Sequence, residues 1–351
     1  MSTATRVPET TRQAADELSA DDATTTLRRV GRWHLLRDSF RRFRYGDGFT
    51  SARALGFQFV LAFIPLVIAF VGLSSTLRAD RAAEVLRRTL LTLAPGTGSD
   101  AVTQALERGS GASGSAGRLA LAVGLVTAFV ALTTSMGQLE RAANRIYGIQ
   151  RDRPSGRKYA RAALLALGGG VPAMLGFIVL VAGGTLVDSL DSVYGWSDTL
   201  HTAAWWARWP LGAALDLLAI TVIFRWAPRR RQPGMSWLAF GAGIALTLWL
   251  AFTGLLALYV ATSGSFGRVY GPLTGIVALL LWSQLTSVAL LLGVSFGAQL
   301  EAVRAGVPSP VAADPEAGPG SDRRSVVVLA PEPATDEVRP TAASHRTPPT
   351  R

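Results

Sequence analysis

Long apolar runs separated by clusters of arginine constrain this chain more than any other feature. A helix needs about 20 apolar residues to cross the hydrocarbon of a bilayer, where every backbone polar group must be satisfied internally. Six stretches meet that length: 54–75, 118–137, 163–187, 206–224, 237–261 and 272–298. The pattern predicts an all-α integral membrane protein with six transmembrane helices. The rule that divides 351 residues into soluble domains therefore does not apply.

The connecting segments set an orientation, because cationic residues stay in the cytoplasm during insertion. Seven arginines lie between Arg28 and Arg44, ahead of the first span. The loop after the second span carries Arg141, Arg145, Arg151, Arg153, Arg157, Lys158 and Arg161. The loop after the fourth carries Arg225, Arg229, Arg230 and Arg231, and Arg304 follows the sixth. On the other side, residues 188–205 hold Asp188, Asp191 and Asp198 with no Lys or Arg, and 262–271 hold only Arg268. The long loop 76–117 is mixed. Both termini are thus expected in the cytoplasm of a multi-pass plasma-membrane protein. A basic cluster with flanking tyrosines also suits nucleic acid, but these aromatics are too few for a stacking platform, and the loop charges follow topology. No nucleic-acid partner is expected.

Residues 1–26 are polar, with no apolar signal-peptide core, and read as a disordered tail. Residues 27–50 read as a basic amphipathic juxtamembrane helix: Leu27, Val30, Trp33, Leu36, Phe40 and Phe43 share one face, and Arg28, Arg32, Arg41 and Arg42 the other. Such a helix lies in the interface with its arginines on anionic headgroups, or else packs on the protein. The membrane domain covers 51–305, and a Pro- and Ala-rich tail, read as disordered, covers 306–351. Within the outer loop, "LRADRAAEVLRRTLLTLA" has the pattern of an amphipathic helix and "GSGASGSAG" that of a hinge. Trp205, Trp206 and Trp209 suit an aromatic belt.

Asp216 lies inside the fourth span, where an ionised acid costs on the order of 2.5–3.5 kcal/mol on insertion scales. It needs a partner, a polar cavity or a proton, so it reads either as a transport-path site or as half of a structural pair. Gln58, Gln284, Thr133, Thr134, Thr286 and Ser287 either hydrogen-bond between spans or line a cavity. Pro65 and Pro172 interrupt spans one and three, as kinks or as broken helices around a substrate. Gly168, Gly169, Gly170, Gly176, Gly183 and Gly184 permit close helix contact in span three. Glu140 with Asn144, and Arg141 with Arg145, share helix faces; a solvated helix extension is the plainer reading and an inner gate the alternative.

The absence of cysteine from the sequence removes disulfides, thiolate catalysis and iron–sulfur ligation. His34, His201 and His345 lie in separate polar segments, and no P-loop, HExxH or GxSxG occurs. A non-enzymatic protein with no cofactor and no metal is expected.

Three stretches together resemble the YihY/BrkB family of bacterial inner-membrane proteins: "ARALGFQFVLAFIPLVIAF", "LERAANRIYGI" and "GSFGRVYGPLTGIVALLLWSQLTSVALLLGVSFGAQLEA". The resemblance covers roughly residues 30–305 and maps family features onto Pro65, Asn144, Tyr147, Gly148, Tyr270, Gly271, Trp282, Gly297 and Glu301. Gln58 and Phe59 stand where the family often has a Tyr-bearing, Ala-rich run. The resemblance implies six plasma-membrane spans. Members have carried a ribonuclease BN label, and some are linked to resistance to host killing. With the buried acid and the interrupted spans, the expectation is envelope function: moving or accommodating a lipid or other amphiphile in a cavity faced by Asp216, Gln58 and Gln284. The alternatives are a non-transporting scaffold for envelope machinery and, third, a ribonuclease, for which no metal-ligand cluster is present. Homo-oligomerisation is left open.

Overall fold

The computed structural model describes residues 7–10, 20–76, 114–149, 153–262 and 274–311. Every regular element among them is helical. In chain order these are α1 (Ala20–Val30), α2 (Arg32–Tyr45), α3 (Gly48–Thr76), α4 (Gly114–Ile146), α5 (Ser155–Leu165), a π turn (Ala166–Gly170), α6 (Val171–Tyr194), α7 (Asp198–Trp226), α8 (Met235–Thr262) and α9 (Thr274–Arg304). Six of the resulting helices are long and apolar enough to cross a membrane, with α5, the π turn and the start of α6 forming one of them. They correspond to the six expected runs. Most overrun those runs by several residues at the basic end of the bundle. There α4 continues to Ile146 and α9 to Arg304.

Neighbouring spans pair as α3 with α4, α6 with α7 and α8 with α9, and α9 also packs along α3. Small residues let them approach, as expected where lipid supplies no hydrophobic drive between helices. On α6 and its π turn, Gly169, Gly176 and Gly183 recur every seven residues and face Ile223, Asp216 and Arg208 of α7. Gly168, expected among them, meets nothing within 4 Å. Between α8 and α9, a Cβ on Gly293 would lie 2.6 Å from the Gly241 carbonyl oxygen.

Proline acts differently in two spans. α3 runs continuously through Pro65. Ahead of Pro172 the helix widens, and the Val171 N–H bonds the Ala166 carbonyl across a π turn. The wider turn accommodates a ring that would otherwise crowd the carbonyl four residues earlier. Neither span is broken into separate helices.

Two expectations at the N-terminus need correction. The tail read as disordered through residue 26 is helical from Ala20. Asp21 and Asp22 lie in its first turn and Arg28 and Arg29 in its last, which suits the helix dipole. Ala23 and Leu27 pack with Leu35, Trp237, Phe296 and Leu300. The helix expected over 27–50 is interrupted twice. Gly31, at φ 84°, separates α1 from α2, and Asp47, at φ 58°, separates α2 from α3. The buried face of α2 is also not the one that periodicity suggested. Leu35, Ser39, Arg42 and Phe43 are buried, whereas Trp33, Leu36 and Phe40 are exposed.

At the C-terminus α9 ends in a left-handed Gly306, with the Val307 N–H on the Ala302 carbonyl at 3.0 Å. Residues 306–311 therefore hold a defined course against the helix end. The expected loop helix over 77–94, the first part of the hinge, 109–113, the tail from 312, and Tyr270 and Gly271 lie outside the described residues; the last four residues of the expected hinge, Gly114–Gly117, are instead the first turn of α4.

A membrane cavity with one acid, and a buried polar lock

All six spans meet around a cavity of about 220 Å³. Phe59 and Phe63 come from α3, Leu132 and Met136 from α4, and the remaining walls from α6, α7, α8 and α9. The lining is apolar but for two groups among the described residues, Asp216 and Thr286. Asp216 is 5% exposed, and its Oδ2 has no hydrogen-bond partner among the described residues. Its carboxyl lies against Gly176 so closely that no Cβ would fit there. The acid is thus held on the backbone of α6, at the wall of the cavity.

Three aromatic rings gather on that wall. Phe177 follows Gly176 in the chain, with its ring 6.0 Å from Trp249 and 5.1 Å from Trp282, centroid to centroid. The Trp282 indole N–H donates to the Thr253 hydroxyl at 3.2 Å, which turns its polar edge away and fixes the ring. Gln58 and Gln284, expected beside Asp216, are not among the lining residues. The Gln284 backbone lies at the crossing of α3 on α9, where a Cβ on Gly56 would approach it to 3.1 Å, whereas Gln58, two residues beyond Gly56, is on another face of α3. The hydroxyls of Thr134 and Ser287 bond back to carbonyls of their own helices, not to neighbouring spans.

A second constellation closes the basic end of the bundle. Arg42 is fully buried. Its Nε donates to Gln299 Oε1 at 3.0 Å, and its Nη1 donates to the Thr10 hydroxyl at 2.8 Å and the Ile146 carbonyl at 3.2 Å. Burial lowers the Arg42 pKa to about 10. Arg230 pairs with Glu301, lies over the Tyr147 ring at 4.8 Å and donates to the Thr10 carbonyl at 3.2 Å. Burial, reinforced by the Glu301 carboxylate, pushes the Tyr147 phenol up. Thr10 returns its N–H to the Tyr147 carbonyl at 3.1 Å. Residues 7–10 therefore form a strap hydrogen-bonded to α2, the end of α4 and the α7–α8 loop.

The strap lies on Gly148, whose φ is 75°. A Cβ there would meet the Pro8 carbonyl oxygen at 2.6 Å. Gly148→Ala should therefore destabilise the protein by more than the roughly 1–2 kcal/mol of left-handed backbone alone, because the strap must also move. Thermal unfolding in lipid nanodiscs measures this, and an unchanged midpoint would exclude the strap.

Glu140 and Asn144, read from sequence as a solvated extension, are buried. Arg153 Nη1 lies 2.7 Å from Glu140 Oε1 and also donates to the Ala227 carbonyl, and Nη2 donates to the Pro228 carbonyl. Asn144 Oδ1 accepts the Arg229 N–H at 2.7 Å. Arg145 turns away to pair with Asp47. In place of a solvated extension, Glu140, Asn144 and Arg145 are held by partners from other segments. Asn144, Tyr147, Gly148, Gly297 and Glu301 belong to this end of the bundle; a Cβ on Gly297 would lie 3.9 Å from the Tyr147 hydroxyl. Trp282 belongs to the cavity. Pro65, part-buried, sits in α3 next to the cavity-lining Leu66. Sequence reasoning missed Arg208, whose guanidinium lies 4.5 Å from the Trp205 ring centre and 4.9 Å from that of Trp209. Its place among the three tryptophans was the available signal. Among the described residues no group of three His, Cys, Asp or Glu is arranged to hold a metal.

A family model described as Virulence factor BrkB matches residues 39–316. The Bacillus subtilis protein named as ribonuclease-like, YfkH, is 22% identical over 268 residues, 76% of this chain and 94% of that one. A UPF0761 membrane protein of Chromohalobacter salexigens is 29% identical over 76% of this chain and 62% of its own. Another, from an Azoarcus species, is 29% identical over 77% and 65%. The chain thus spans less than two thirds of the two UPF0761 proteins. No solved structure matches the chain.

Proposed function

Because this chain belongs to the virulence factor BrkB family, six-helix membrane proteins by the architecture seen here, we propose that it moves or accommodates a lipid or other amphiphile in its central cavity. The observation that carries this reading is an apolar cavity walled by all six spans, with the Asp216 carboxyl packed into its wall. An apolar chamber with few polar groups is the usual form of a small-molecule site, the polar groups setting orientation. Work of this kind needs no covalent chemistry, so the protein acts as a non-enzymatic component of the bacterial envelope, without nucleic acid as a partner.

The same reading places the protein in the plasma membrane with the basic end in the cytoplasm, both termini included, as the positive-inside rule requires. The exposed Trp33, Leu36 and Phe40 of α2, flanked by Arg37, Arg41 and Arg44, then lie in the inner headgroup layer against anionic lipid.

The test is envelope lipid composition in a deletion strain complemented by the wild type or by Ala173→Phe at matched membrane levels. Ala173 lines the cavity, and a ring there takes up much of its space. A lipid that accumulates on deletion should be cleared by the wild type and not by the filled variant. If the filled variant clears it equally, the cavity is not the route. If deletion changes no lipid, the transport reading fails.

A further inference from the structure

Arg208 stands near the end of the bundle opposite the polar lock, and among the described residues no acid or carbonyl partners it. Independently of the cavity, we propose that the seam between α6 and α7 at that end binds the headgroup of a zwitterionic phospholipid, with the phosphate on the Arg208 guanidinium and a primary ammonium on Asp188.

The slot for the guanidinium is built by two helices. On α7, Arg208 rests against the rings of Trp205 and Trp209. On α6, its stem runs along Gly183 and its head lies on Gly184: a Cβ on the first would stand 3.3 Å from Cδ, and on the second 2.6 Å from Nη1. Only glycine leaves that room. The residue is part-buried, and of its three nitrogens only Nε is sealed off without a partner, so the two Nη groups carry the accessible face. No hydrogen bond or ion pair to another described residue engages them. A positioned guanidinium with both amino groups open is a fork for a phosphate, which it can hold through two parallel N–H···O bonds. The depth agrees. Trp206 and Trp209 are exposed beside it, and tryptophans at the end of a span mark the headgroup level. An arginine in a span is costly unless it is paired or meets the headgroups.

Asp188 supplies the second half. It follows Gly184 by four residues, so it stands on the same face of α6, about 5.4 Å nearer the helix end. Its Oδ1 meets His201 Nε2 of α7 at 3.0 Å, which sets it on the same seam, and its side chain is still 63% exposed. Residues 188–205 hold three Asp and no Lys or Arg, so this rim favours a cation from outside. A phosphate on Arg208 carries its amine outward, and a two-carbon link spans a gap of about one helical turn. A primary ammonium gives the carboxylate a charge-assisted hydrogen bond that a quaternary one cannot. Choline gains nothing in exchange from Trp205 and Trp209, whose rings already serve the guanidinium. An anionic headgroup or a fatty acid would meet Arg208 but leave Asp188 unanswered.

The experiment measures lipid binding to the full-length protein in dodecyl maltoside by native mass spectrometry. The probes are phosphatidylethanolamine, phosphatidylcholine and phosphatidylglycerol with identical acyl chains. Phosphatidylethanolamine should bind about threefold tighter than either of the others, the scale of an exposed charge pair. Arg208→Gln should weaken it about tenfold, the effect of one charge-assisted hydrogen bond. Asp188→Asn should bring it down to the level of phosphatidylcholine and leave phosphatidylcholine unchanged. Because Asp188 is exposed, that variant also tests the site should Arg208→Gln not fold. Ala173→Phe, which takes up much of the cavity, should change none of these affinities. Equal binding of the ethanolamine and choline lipids by the wild type overturns the assignment of the ammonium to Asp188. Tighter binding of phosphatidylglycerol overturns it in favour of an anionic lipid. Displacement of phosphatidylethanolamine by excess inorganic phosphate makes free phosphate the ligand and overturns the lipid source. Full binding by Arg208→Gln, or its loss in Ala173→Phe, overturns the seam as the site, the latter by moving the lipid into the cavity.

Discussion

Glu301→Ala should lower stability by about 3–5 kcal/mol, because it leaves the Arg230 guanidinium buried without its counter-charge. The side chains of Arg230 and Glu301 are only 3% and 1% exposed, so solvent cannot substitute for the lost partner. The consequence should spread, since Arg230 also holds the Thr10 carbonyl and lies over Tyr147. In thermal unfolding in nanodiscs this corresponds to a fall in midpoint of roughly 4–7 °C for a chain of this length. Asp47→Asn is the matched control. The Asp47–Arg145 pair is about 40% exposed on both sides, and an exposed pair contributes at most about 1 kcal/mol. Asn also tolerates the positive φ at that position. If the two substitutions cost the same, the Arg230–Glu301 pair is not buried as described.

The second large effect is expected at the crossing of α8 and α9. A Cβ on Gly293 would stand 2.6 Å from both the Gly241 carbonyl oxygen and the Ala245 Cβ. Backbone cannot swing aside as a long side chain can, so Gly293→Leu must push the helices apart. Overpacking of this kind costs about 1–3 kcal/mol or more, and the upper end is expected here because the obstacle is main chain. Gly243→Leu is the control, since nothing lies within 4 Å of that position. Gel filtration after detergent extraction should show a monodisperse peak for Gly243→Leu and a reduced or aggregated one for Gly293→Leu. Equal recovery of the two would mean that the helices do not cross at Gly293.

The six spans were legible because hydrophobicity over about 20 residues is a local property. Asp216 was legible for the same reason: one acid in an apolar run needs no partner to be noticed. Its neighbours were not. Gln58 and Gln284 have the right chemistry, but helix rotation leaves both off the cavity lining, and no local pattern encodes that rotation. The aromatic wall was hidden likewise, since Phe177, Trp249 and Trp282 come from three different spans. Arg42 was assigned to the face that meets anionic headgroups because it stands among other arginines. Its partners Ile146 and Gln299 are 104 and 257 residues away. Overrun of the helices beyond the apolar runs has the same origin, since Glu140 and Asn144 are sustained by Arg153 and Arg229 from later segments.

The 257 residues between Arg42 and Gln299 also impose an order of assembly. At about 5–20 residues per second, a ribosome takes roughly 13–50 s to travel that distance. For that interval Arg42 has no Gln299 to donate to, and its charge stays in water. The strap has no Glu301-paired Arg230 to hold it, so the lock at the basic end can close only after the last span has been made. A chain arrested before Gln299 would present an unlatched end with an unsatisfied arginine. That is a mark by which quality-control proteases can tell unfinished copies from completed ones.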